Sequence, residues 1–220
     1  MIKGIIFDLD GVITDTAQLH YNAWKKLAEE LEIFFDYKFN ETLKGVSRMD
    51  SLDKILIYGK KQNDYSTAEK EVLAEKKNNH YIQELNKLNS ESILPGIKGV
   101  LMYLKEQNLL IALASASKNA PIILKKLELY EKFDVIIDPA TLKEGKPNPE
   151  IYLNAVEVLG LQNSEVIGIE DAVVGVKAVN SANILSVGVG DKMVLKEANV
   201  VISTTKELLN CIKRIQREQL

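Results

Sequence analysis

Phe7-Asp8-Leu9-Asp10-Gly11-Val12-Ile13-Thr14-Asp15-Thr16 is the stretch on which the fold turns. It follows Ile5-Ile6, so a short apolar run stops abruptly at two acids and a glycine. A run of that kind predicts a strand buried on both faces, as in a parallel sheet. The same pattern recurs downstream. Leu109 to Ala114 ends at Ser115, Phe133 to Ile137 at Asp138, and Val166 to Ile169 at Glu170-Asp171, with further runs at Leu185 to Val189 and Val200 to Ser203. Between them lie helical patterns: Ile97 to Lys105, a segment after Asn119-Ala120-Pro121, another after Asn148-Pro149, then Ala172 to Val179 and Lys206 to Arg217. Pro in the first turn after an Asn is a helix-start signal, and Asn119 is expected to act as a cap. Strands alternating with helices predict a Rossmann-like α/β core with a parallel sheet.

Asp15 to Asn89 breaks this rhythm, with no buried-strand run. Ala23, Trp24, Leu27, Ala28 and Leu31 recur at helical spacing, Ser66-Thr67-Ala68-Glu69 has the capping-box form, and Val72, Leu73, Leu85 and Leu88 continue a stripe. The expectation is a helical cap domain, residues 15–92, inserted after the first strand of a core formed by residues 1–14 plus 93–220.

Composition narrows the function. A net charge of −3 offers no basic excess for nucleic acid. No apolar run is long enough to span a bilayer, and Asp8 comes too soon for a signal-peptide core. One cysteine, Cys211, fits a reducing compartment, so a cytoplasmic location is expected. One cysteine and two histidines do not support a zinc centre. No G-x-x-x-x-G-K-[ST] loop occurs, and Gly188-Val189-Gly190 lacks the third glycine of a dinucleotide fold.

Ligands of open α/β sheets bind beyond the carboxyl ends of the strands. Asp8, Asp10, Ser115, Lys146, Glu170 and Asp171 all fall there or in adjoining loops. Clustered carboxylates repel unless a cation lies among them, and an all-oxygen donor set suits Mg2+. A metal and a lysine beside a carboxylate attract phosphate and stabilise it in transfer. One carboxylate then serves as nucleophile, and a second, two residues on, as general acid and base. Taken singly, each acid also fits a helix cap or a turn.

The opening string resembles the first motif of the haloacid dehalogenase superfamily, with D-x-D-G-x-x-x-D-[ST] intact from Asp8 to Thr16. Ser115 after Leu113-Ala114 resembles the second motif, Lys146 in Gly145-Lys146-Pro147 the third, and Glu170-Asp171 with Gly175 the fourth. The resemblance implies that Asp8 is the nucleophile and Asp10 the acid/base. It implies Mg2+ held by the Asp8 side chain, the Asp10 main-chain carbonyl and Asp171, with Glu170 nearby, and Ser115 and Lys146 on the transferring phosphoryl group.

Within the insert, Leu43-Lys44-Gly45-Val46-Ser47-Arg48-Met49-Asp50-Ser51-Leu52 is similar to the cap loop of the superfamily's glucose-phosphate mutases. So are Thr14 to Ala17, His20 with Ala23-Trp24, and Ala112 to Asn119. Carried over by position, Arg48 and Asn119 would hold the phosphate that is not transferred, and Ser115, Ala116 and Lys118 would form the phosphate loop of the core. Lys44, Gly45, Val46 and Ser51 would line the sugar side. His20 and Lys77 would link cap closure to Asp10, with Thr16 at the hinge. Loop lengths depart from the pattern near Phe34 to Lys38 and Gly59 to Tyr65, which leaves Lys76 as an alternative to Lys77. On their own residues, Lys44 and Arg48, four apart, also fit a solvated helix face, His20 a surface histidine and Trp24 core packing. The implied reaction interconverts β-D-glucose 1-phosphate and glucose 6-phosphate, with glucose 1,6-bisphosphate as the intermediate and a monomer expected. The core motifs alone serve a sugar-phosphate phosphatase equally well.

Overall fold

The computed structural model describes residues 1–218 of the 220. A six-stranded parallel sheet is built from β1 (Gly4–Phe7), β2 (Leu110–Leu113), β3 (Val135–Ile136), β4 (Val166–Glu170), β5 (Leu185–Val189) and β6 (Val200–Ile202), in the order β3-β2-β1-β4-β5-β6. β1 lies in the middle, with Phe7 in register with Leu113 of β2 and Ile169 of β4. The order reverses at β1, and that switch point is where open α/β sheets leave a crevice.

Apolar residues run on without polar alternation because both faces are covered. Ile5 and Phe7 point into one core, with Ile111, Leu113, Ile167 and Ile169. That face is covered by α5 (Ile97–Glu106), α6 (Ala120–Lys126) and α9 (Leu208–Glu218). Ile6, Ala112 and Ala114 point into the opposite core, against α7 (Glu150–Leu159) and α8 (Val173–Ser181). The strand expected over Phe133 to Ile137 is only two residues long, since it pairs with β2 alone at the sheet's edge.

Between β1 and α5 the chain forms α1 (Ala17–Glu30), α2 (Tyr37–Glu41), α3 (Arg48–Tyr58) and α4 (Thr67–Leu85). Tyr21, Trp24, Leu27, Leu52, Ile55, Leu56 and Ala74 make a third apolar cluster among these helices. Two details of the expected helices need correction. Val72 is exposed, and the buried face of α4 is instead Ala74, Lys77, Asn78, Tyr81 and Leu85, a face partly polar because it borders the cleft described below. Lys44 and Arg48 do not share a helix face. Lys44 sits in a turn, and Arg48 opens α3 behind the Ser47 cap. Among the described residues no helix is long and apolar enough to cross a membrane.

Candidate active site

A cleft of about 1070 Å3 lies over the carboxyl ends of β1 and β2, walled on its far side by α1, α3 and α4. Its core wall carries Asp8, Asp10, Ser115, Ala116, Lys118, Asn119, Lys146 and Asp171. Its helical wall carries Thr16, His20, Trp24, Lys44, Gly45, Val46, Arg48, Ser51 and Lys77. Glu170 alone of the residues singled out in the sequence lies beneath the cleft floor, fully buried.

β1 delivers Asp8 to the floor, where its main-chain N–H is still paired to Ile169. Lys146 donates to Asp8 Oδ1 at 2.6 Å and to Glu170 Oε1 at 2.5 Å. Burial opposes the lysine's charge, but these two carboxylates outweigh it and raise its pKa. Burial pushes Asp8 well up, with Lys146 pulling the other way and Glu170, Asp10 and Asp171 adding to the rise. Burial likewise raises Asp171, to about 7, helped by Glu170 and opposed by Lys44. Gly11 (φ +75°) is required here: a Cβ would stand 2.1 Å from Asp171 Oδ2.

Asp8, Glu170 and Asp171 bring one oxygen each to within 4.8 Å of one another. One ammonium cannot neutralise three carboxylates, and Glu170 Oε2 is buried without a hydrogen-bond partner among the described residues. Hard oxygen donors, excess negative charge and an orphaned carboxylate oxygen fit a divalent cation such as Mg2+.

Asp10 faces the open cleft. Burial raises its pKa, and the hydrogen bond from the Thr16 hydroxyl opposes that rise. Nearby, Lys77 Nζ lies 3.0 Å from His20 Nδ1. With the ammonium donating, the ring nitrogen accepts, and a neutral ring then carries its proton on Nε2, 4.0 Å from Asp10 Oδ2. Burial, then Lys77 and Arg48, hold His20 well below the usual histidine range, so the neutral ring is favoured. Lys77 is sealed between the rings of Trp24 and Tyr81, each centroid 4.6 Å away, and burial drops its pKa to about 7. Lys76 points out to Glu30 on the surface, so the geometry puts Lys77, not Lys76, in the cleft.

Ser115 is buried after β2, and its hydroxyl accepts the Ser117 N–H. Asn119 occupies the N-cap position of α6 without capping it. Its side chain is spent instead across the cleft, donating to Asn78 Oδ1 at 2.9 Å. Arg48 makes only a 3.5 Å contact to Glu75, and Lys44 pairs with Glu41. Asn78, Tyr81 and Tyr152 were not singled out in the sequence. Tyr152 resembled one more apolar residue of a helix stripe, although a buried tyrosine needs a hydroxyl partner, and here that partner is Glu170.

The family model of the haloacid dehalogenase-like hydrolases matches residues 2–183. The chain belongs to that family. Among its relatives, the β-phosphoglucomutase of Bacillus subtilis is 46% identical over 207 residues, 94% of this chain and 92% of the other. The phosphorylated carbohydrates phosphatase of Thermotoga maritima is 30% identical over 97% of this chain and its own full length. The crystal structure of β-phosphoglucomutase from Clostridium difficile superposes with a TM-score of 0.97 at 49% identity, covering 100% of this chain and 99% of that one. This haloacid dehalogenase-like chain therefore has a phosphomutase and a phosphatase among its relatives.

Proposed function

We propose that the protein is a Mg2+-dependent mutase interconverting β-D-glucose 1-phosphate and glucose 6-phosphate. The observation that carries this is a cleft with a cation at each wall. Lys146 stands beside Asp8 on the core side, and Arg48 stands on the helical side with only a weak surface partner. Two anionic groups on one sugar ring need two such ends. The likeness to curated β-phosphoglucomutases supports the choice of sugar.

In this proposal Asp8 carries a phosphoryl group as an aspartyl phosphate. The sugar 6-hydroxyl attacks it while Asp10 takes the hydroxyl proton, and the product is glucose 1,6-bisphosphate. After the sugar turns round, Asp8 attacks the phosphorus on carbon one and Asp10 returns the proton to the departing oxygen. An acid with a raised pKa suits that double duty at neutral pH. Lys146 and Ser115 hold the phosphoryl group in transfer, while Ala116 and Lys118 complete the core phosphate loop. Arg48 and Asn119 hold the other phosphate, and Lys44, Gly45, Val46 and Ser51 line the sugar. Asp8, Asp171 and the Asp10 carbonyl, with Glu170 beneath them, would hold Mg2+, whose chemistry when bound is to neutralise charge on the phosphoryl oxygens.

Residues 15–92 act as a cap on a core of residues 1–14 plus 93–220. Closure excludes water from the aspartyl phosphate, with Thr16 at the hinge and the His20–Lys77 pair reporting closure to Asp10. All of these residues come from one chain, so the proposal requires no second copy. The test is product analysis with β-glucose 1-phosphate, Mg2+ and a trace of glucose 1,6-bisphosphate. Glucose 6-phosphate as the main product supports the mutase. Free phosphate released in step with substrate loss supports the phosphatase to which the Thermotoga maritima relative points.

A further inference from the structure

Glu170 ends β4 with no exposed surface. A sealed carboxylate is costly unless its oxygens are paired, and here the two oxygens differ. Oε1 accepts from Lys146 Nζ and from the Tyr152 hydroxyl, both at 2.5 Å. Oε2 has no partner among the described residues. The carboxylate also lies flat against the first turn of α8: a Cβ on Gly175 would stand 2.0–2.2 Å from its three terminal atoms. One oxygen is pinned, one face is blocked, and the carboxylate brings an oxygen to within 4.8 Å of oxygens of Asp8 and Asp171.

Tyr152 comes from α7, fully buried among Ile6, Ala155 and Ala178 of the second core. Its ring is held by that packing, so its hydroxyl is a fixed donor rather than a searching one. We propose that Tyr152 is a positioning residue for the metal centre: its hydroxyl fixes Glu170 Oε1 so that Oε2 is presented to the cation. The proposal rests on the Mg2+ site described above. A second consequence falls on Lys146. Lys146 shares Oε1 with the Tyr152 hydroxyl and donates a second hydrogen bond to Asp8 Oδ1 at 2.6 Å. Without the hydroxyl, Lys146 is the sole donor to Oε1, and the carboxylate gains freedom to turn away from the cation. Partners of metal-ligand groups at one remove set affinity in this way, and their loss costs about 10- to 100-fold.

The test is a Mg2+ titration by calorimetry, without substrate, of wild type and Tyr152→Phe, with melts of both in chelator. Tyr152→Phe keeps the packed ring and removes one oxygen. The expected result is a Mg2+ Kd raised about tenfold in the variant, at the low end of that range. The rise in melting temperature on adding Mg2+ should shrink to match. In phosphorylation of Asp8 by acetyl phosphate, half-saturating Mg2+ should rise by the same factor, and the rate at saturating Mg2+ should stay within about threefold, as for an effect confined to metal binding. A variant Kd within twofold of wild type overturns the proposal. So does a rate lowered equally at every Mg2+ concentration, which is what a packing role alone would give. A wild-type protein that binds no Mg2+ overturns the metal site itself, and that failure is distinct from the other two.

Discussion

Asp8 is the first acid past the central strand, buried, and held by Lys146 at 2.6 Å. An amide in its place has nearly the same shape but is a poor nucleophile and a weaker ligand. Asp8→Asn should leave the fold intact and abolish the phosphoenzyme, so that acetyl phosphate with Mg2+ gives no phosphorylated protein by intact mass spectrometry. A stable phosphoenzyme on that variant would remove Asp8 from the mechanism. Lys77 makes a different prediction, about stability. It titrates near 7 in the fold, against 10.5 for an ordinary lysine. Between those values the unfolded chain binds the extra proton, so stability rises with pH. The penalty of the buried charge is fully present below pH 7 and fades as pH approaches 10.5. Lys77→Met should therefore be more stable than wild type at pH 6, by on the order of 1–3 kcal/mol once the cation–π contacts to Trp24 and Tyr81 are discounted. The gain should shrink on raising the pH to 9, as followed by denaturant melts. A gain that grows with pH would show that the buried ammonium is not what costs stability. The acids of the site were legible because they stop apolar runs. Tyr152 was not, because a tyrosine on a helix stripe looks like core until its hydroxyl partner is seen.

The helices over the cleft show how local chemistry fixes where an element begins. α4 starts at a complete capping box: the Ser66 hydroxyl accepts the Glu69 N–H, and Glu69 reaches back to the Ser66 N–H at 2.8 Å. The box lies in the exposed loop after α3, so it is worth the usual cap energy and little more. Ser66→Ala should cost about 1 kcal/mol of global stability while leaving Mg2+ affinity unchanged, measured by thermal unfolding and calorimetry. A loss of metal affinity would mean that the start of α4 sets the geometry of the site far down its length. The box was visible in the sequence as Ser66-Thr67-Ala68-Glu69, since a cap depends only on neighbours. The phase of the same helix was not. Val72 suggests an apolar stripe, yet the side turned inward carries Lys77 and Asn78 among Ala74, Tyr81 and Leu85, because it borders a polar cleft as well as a core. Asn119 went astray for the same reason. Its position is that of a cap, and a partner 41 residues away in sequence claims its amide. Periodicity records burial against apolar surface, and it cannot mark a face buried against a substrate site.

At the scale of the molecule, α1 and α4 meet the sheet's core through Ala23, Tyr81 and Leu85, and beyond that apolar contact the cleft is bridged by specific polar and close-packed pairs. Asn119 donates to Asn78 across it, and Gly45 (φ +70°) brings the cap loop against Ala172 and Val174. The doubly wound core was legible from strand-stop spacing, but which cap residue meets which core loop was not, since that depends on contacts between distant segments. Arg48 is the residue on which the mutase proposal depends at this scale. Its side chain is about one-fifth exposed, and its contact to Glu75 is long and made to a largely solvated acid. Such a pair contributes little by itself, so the guanidinium is available to a phosphate entering the cleft. A bidentate, charge-assisted contact to phosphate is one that lysine cannot reproduce. Arg48→Ala should then cost about 2–5 kcal/mol in transition-state binding, the range for truncating one partner of a buried charge pair. At tenfold per 1.36 kcal/mol, that is about thirtyfold to several thousandfold in kcat/KM for β-glucose 1-phosphate isomerisation. Phosphorylation of Asp8 by acetyl phosphate should fall far less, because that donor has no second phosphate for Arg48 to hold. Equal losses in both assays would place Arg48 in the core chemistry or in cap stability. No loss in either would make the cap loop a solvated surface and leave the phosphatase as the better account of the cleft.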